Sequence, residues 1–135
     1  MPSTTRRANV TLWVLQSLLA ALFLFAGGVK LAVPLATLAK MSTLPATFLR
    51  FIGVCEVLGA LGLILPGLLG IKRGLTPVAA AGLVAIMIGA VTVTVATMGL
   101  APAIFPLIVG VLAATVVRWR WEWTVEFTPV RSTYR

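Results

Sequence analysis

Four long apolar stretches, separated by basic residues and almost free of acids, decide what this chain can become. The first runs from Val10 to about Val33, behind Arg6 and Arg7. The second runs from Phe51 to Leu69, just after Arg50. The third follows Lys72-Arg73-Gly74 and runs from Leu75 to about Met98. The fourth runs from Pro102 to Val117, stops at Arg118 and is extended by Trp119. Each lies near the ~17–25 residues that a helix needs to cross the hydrocarbon core. None shows the polar alternation of a barrel strand, and helices are the other structure that satisfies its backbone in lipid. Only 10% of residues are charged and 60% are hydrophobic, whereas a soluble domain carries about 25% charged residues. Such a chain cannot cover a water-facing surface. The expected fold is all-α: a four-transmembrane-helix bundle in one domain, with spans at about 10–33, 51–69, 75–98 and 102–119 and a polar tail over 120–135.

The connections and charges fix an expected orientation. Spans one and two are joined by Pro34–Arg50, long enough for an interfacial turn, and spans three and four by little more than Gly99-Leu100-Ala101. Pro102 suits the start of the last helix. Arg6, Arg7, Lys72, Arg73, Arg118, Arg120, Arg131 and Arg135 share one side; Lys30, Lys40 and Arg50 share the other. That bias places both termini in the cytoplasm. The net charge of +8 expresses this rule, and the bases form no patch for nucleic acid. The first apolar run is about twice a signal-peptide h-region of 7–15 residues, so it reads as a retained span.

Glu56 is the one acid in the first 121 residues and sits inside an apolar span. A carboxylate at membrane depth costs roughly 2.5–3.5 kcal/mol and is kept where it pairs, relays or binds. Gly53, Glu56, Gly59 and Ala60 share a face of span two, and small residues are where membrane helices touch. Glu56 is therefore expected to face the bundle. Ala81, Ala85 and Gly89 make a second smooth stripe on span three. Lys30 lies near the exit of span one, at the same end as Glu56, so a Lys30–Glu56 pair or shared water cluster is expected. Three readings stand open: a lock between two spans, a ligand or proton site, or a contact with a partner subunit. Thr92, Thr94, Thr97 and Thr115 are expected to return their hydroxyls to the preceding turn.

The residue types absent exclude much chemistry. There is no histidine and only one cysteine, Cys55, so no side-chain set exists for haem, zinc, copper or di-iron. Cys55 has no partner for thiol–disulfide exchange and reads as a packing residue. No Ser–His or Cys–His pair and no Walker-type loop is present. After the last span, Trp119, Trp121 and Trp123 alternate with charges, as an aromatic belt or as a docking segment for a partner.

Leu22-Phe23-Leu24-Phe25-Ala26-Gly27-Gly28-Val29-Lys30-Leu31 resembles the first helix of the DoxX-like family of small four-helix membrane proteins. Phe51 to Pro66, with Glu56 between Gly53 and Gly59, is similar to that family's second helix, and Met87-Ile88-Gly89-Ala90 to its third. The likeness covers roughly Leu12 to Arg118. It implies a four-helix bundle with Lys30 and Glu56 inside, and an association with redox membrane complexes: a thiosulfate:quinone oxidoreductase, a terminal oxidase operon, and an assembly with a thiosulfate sulfurtransferase and superoxide dismutase. Relatives often carry a histidine at about the position of Thr94; this chain has none. The resemblance thus implies an accessory or structural subunit of a larger redox or electron-transfer complex in the bacterial inner membrane, without catalysis of its own. The alternatives are a small oxidoreductase or quinone-binding protein using Glu56 and Lys30, and a carrier for a small hydrophobic solute. The partners expected are the lipid bilayer and other membrane subunits; the contacts expected beyond protein are quinone or lipid.

Overall fold

The structure is a computed structural model, and it describes residues 6–121. Its elements are α1 (Arg6–Ala32), α2 (Leu35–Met41), α3 (Ala46–Leu69), α4 (Leu75–Met98) and α5 (Leu100–Arg120). No strand occurs among the described residues. The four long helices are apolar enough to cross a membrane. At 1.5 Å per residue, α5 with 21 residues spans about 32 Å, enough for a ~30 Å hydrocarbon core.

Proline and glycine set the boundaries. Pro45 precedes α3 and its carbonyl accepts the Leu49 N–H at 3.0 Å. Span two therefore begins five residues before Phe51, since a proline at a helix start forfeits no hydrogen bond. Pro34 does the same for α2, whose carbonyl partner donors are Thr37 and Leu38 at 3.0 Å. The expected interfacial turn is thus partly helical. Between α4 and α5 a single residue, Gly99, makes the reversal with φ 94° and ψ −174°. Only glycine takes that conformation without strain. The last span starts at Leu100, and Pro102 falls within its first turn.

The long helices form a closed ring in which α1 packs on α3, α3 on α4, α4 on α5, and α5 more lightly on α1; α2 rests on α3. Consecutive spans run antiparallel, and the N-terminal end of α1 meets the C-terminal end of α5. This is the terminal end of the bundle. Leu19, Phe23, Leu63, Leu83, Met87 and Val116 fill the centre. Leu18, Phe25, Leu58, Ile88 and Phe105 point outward and are exposed. In a water-soluble protein such a surface would aggregate; here it is the lipid face. Thr92, Thr97 and Thr115 donate to the carbonyls of Ile88, Val93 and Val111 at 2.8, 2.8 and 3.0 Å, so their hydroxyls are satisfied within their own helices.

Candidate functional site

The site begins with a close helix crossing. A Cβ on Gly27 would fall 2.7 Å from the Gly53 carbonyl oxygen, and a Cβ on Gly53 would fall 2.8 Å from Lys30 Cβ. Backbone-to-backbone approach of α1 and α3 therefore requires both glycines. Lys30 and Glu56 each lie three residues beyond one of these glycines, on the same faces. The crossing brings them together: Lys30 Nζ donates to Glu56 Oε2 at 2.8 Å. The Glu56 side chain is 4% exposed and that of Lys30 is 26% exposed. Glu56 stands ten residues into α3, about 15 Å along the helix, deeper than its six-residue distance from Arg50 implied.

Arg50 anchors the same end. Its Nη1 and Nη2 donate to the carbonyls of Leu31 and Val33 at 2.9 and 2.7 Å. Leu31 lies in the last turn of α1, whose carbonyls have no intrahelical donor, and Val33 follows directly after the helix. A planar two-pronged guanidinium suits that pair of acceptors.

Beside the ion pair, between α3 and α4 and beneath the loop at Ser42 and Leu44, lies a cavity of about 490 Å³. Ile52, Met87 and Val93 contribute apolar wall, Phe48 and Phe51 stack at its edge with centroids 6.4 Å apart, and Cys55 and Thr94 also face it. Lys30 and Glu56 are its charged groups. A volume of several hundred Å³, apolar walls and a few convergent polar atoms are the usual features of a small-molecule site. Glu56 Oε1 takes no hydrogen bond from the described residues, and Lys30 has two further donors. The site thus offers one acceptor oxygen and one ammonium with two free donors, side by side, to a ligand head.

The other sequence-predicted residues are dispersed. Gly53 and Ala60 are buried, and Gly59 packs against Leu83, whose Cδ2 would sit 2.7 Å from an added Cβ. Ala81, Ala85 and Gly89 are exposed, whereas α4 buries Ala80, Leu83 and Met87 instead. The physical reason is that Gly59 of α3 and Gly110 of α5 make room for Leu83 and Met87. Bulk on α4 fits hollows on its neighbours, and its own small residues turn outward. Ala85 and Gly89 line the cavity. Trp119 and Trp121 are about half exposed; Trp123 and the rest of the tail lie outside the described residues.

A second polar cluster was not anticipated. At the terminal end, buried Gln16 of α1 donates through Nε2 to the Leu63 carbonyl at 2.6 Å. Its Oε1 accepts from Arg120 Nε of α5 at 2.7 Å, while Arg120 Nη1 donates to Asn9 Oδ1 at 2.8 Å. The Arg120 guanidinium also lies 5.6 Å from the Trp13 ring centroid, within cation–π reach. The one available signal was Gln16 itself, a lone carboxamide inside an apolar run.

The DoxX-like family model matches residues 14–116. The chain belongs to the DoxX-like family. The DoxX-like match takes in Lys30, Glu56, both crossing glycines and the cavity walls, whereas Asn9, Trp13 and Arg120 fall outside it. No curated protein and no solved structure matches the chain.

Proposed function

We propose that this DoxX-like membrane protein binds a small amphipathic molecule of the quinone or quinol class, drawn from the bilayer, in the cavity between α3 and α4. The observation that carries this reading is the coincidence of a buried ion pair with the 490 Å³ cavity. Lys30 would donate to a ring carbonyl, and Glu56 Oε1 would accept from a ring hydroxyl. The exposed edges at Phe51 and Gly89 would admit a tailed ligand sideways from lipid. The reading includes the bacterial inner membrane with both termini cytoplasmic, following the basic residues of the terminal end. The cavity then opens toward the outer half of the bilayer.

The test is direct binding of a decyl-tailed benzoquinone to purified protein in detergent. A Cβ on Gly89 meets nothing within 4 Å, so Gly89→Phe should fold normally while filling the cavity. Binding should be lost in Gly89→Phe at an unchanged melting temperature and weakened in Glu56→Gln. Full binding by Gly89→Phe would sink the proposal.

A second reading, an accessory subunit of a larger redox complex, is favoured by the exposed small residues Ala81, Ala85 and Gly89. A face that smooth can receive another helix. It predicts recovery with larger subunits after extraction in mild detergent, and a stable lone chain argues against it.

A further inference from the structure

A groove follows the outer seam between α4 and α5, on a different side from the cavity. Two hollows, of about 310 and 350 Å³, share Val84 and Ala114 as walls and so make one continuous furrow. It runs from Thr92 and Pro106 to Ala81 and Arg118. From Ala81 to Thr92 is eleven helical residues, about 16 Å of rise. That matches roughly half of a ~30 Å hydrocarbon core, the depth of one leaflet. Gly110 and Ala114 keep the floor low: a Cβ on Gly110 would already lie 3.1 Å from Met87 Cβ.

The two ends of the furrow differ. The Thr92 end is apolar, because the Thr92 hydroxyl is returned to its own helix. The other end carries Arg118, which is exposed and makes no hydrogen bond or ion pair with any described residue. The one carboxylate among the described residues, Glu56, is held by Lys30 toward the opposite end of the bundle. Lys72 and Arg73, both exposed, add positive charge at the terminal end. An acyl-length apolar furrow that ends at an exposed arginine with no carboxylate partner among the described residues is complementary to a lipid with a negative head.

We infer that the α4/α5 seam is a binding site for an anionic phospholipid, with one acyl chain in the furrow and the phosphate-bearing head on Arg118. The furrow opens between α4 and α5 and shares only Met87 with the cavity between α3 and α4.

The test uses the full chain in detergent and reads the melting temperature during titration with dioleoyl-phosphatidylglycerol or dioleoyl-phosphatidylcholine. Phosphatidylglycerol should stabilise the protein at lower concentration. Arg118→Gln, a change at an exposed side chain, should raise the concentration required about fivefold, the usual effect of one basic residue at an anionic surface. Dihexanoyl-phosphatidylglycerol, whose tails are too short for the furrow, should stabilise less than the dioleoyl form. Equal response to the two dioleoyl lipids, or an unchanged preference in Arg118→Gln, overturns the inference. So does full stabilisation by the short-tailed lipid or by inorganic phosphate, either of which would mean a head-group site without a furrow.

Discussion

The Lys30–Glu56 pair is asymmetric, and its two halves should fail by different amounts. Lys30→Met leaves the Glu56 carboxylate 4% exposed with its cation gone, the situation that costs about 3–5 kcal/mol for a buried pair. Glu56→Gln leaves a lysine whose side chain is 26% exposed, able to reach polar surroundings along its flexible stem. Its ammonium can still donate to the amide oxygen, so the loss should be about 1–2 kcal/mol. In the Lys30→Met/Glu56→Gln double variant no buried charge remains. That variant should cost about 2–3 kcal/mol, below the ~4–7 kcal/mol of the singles together, giving a coupling of about 3 kcal/mol at mid-range. Unfolding in mixed micelles with increasing dodecyl sulfate, followed by far-ultraviolet circular dichroism, would measure all four proteins. The reasoning is refuted if Glu56→Gln costs as much as Lys30→Met, or if the singles add to within about 0.5 kcal/mol.

Two other changes probe the frame around the site. Gly27→Ala should destabilise by about 1–3 kcal/mol, because the new methyl meets the Gly53 carbonyl at 2.7 Å and two backbones must part; the neighbouring Gly28→Ala, with nothing within 4 Å, should be neutral or gain up to about 1 kcal/mol from helix propensity, and the same unfolding titration compares them. Gln16→Leu strips Arg120 Nε of its acceptor and should cost about 1.5–3 kcal/mol, the range for hydrogen bonds to charged groups, with proteolysis of α5 rising ahead of that of α3.

The legible parts of this structure were those set by one span or by the simplest pairing of two. Four apolar runs gave four long helices, because in lipid no other element can satisfy so much unpaired backbone. Lys30 and Glu56 could be matched because each is a solitary charge at a known distance from the end of its span. α3 begins five residues before the apolar run at Phe51, since Arg50 reads as a boundary in the sequence while its side chain folds back to cap α1. The stripe of Ala81, Ala85 and Gly89 was readable as smooth, but smoothness alone does not say whether a neighbour is present. That depended on Gly59 and Gly110 of other helices, which receive Leu83 and Met87. The cavity could not be read at all, because it is the space left where α3 and α4 part beneath a loop. In the sequence Arg120 reads as a base just outside the last span, and only ring closure turns it inward to Gln16.

That last bond has a consequence for how the protein is made. Gln16 is among the first parts of the bundle to leave the ribosome, and Arg120 follows 104 residues later, about 5–20 s at ordinary rates of synthesis. Through that interval the first three long helices can assemble, yet Gln16 waits with its oxygen unanswered. The ring is therefore sealed by the last residue of its last helix. A chain stalled or clipped before that point would carry an open polar seam between α1 and α5, a mark by which quality control could tell unfinished copies from finished ones.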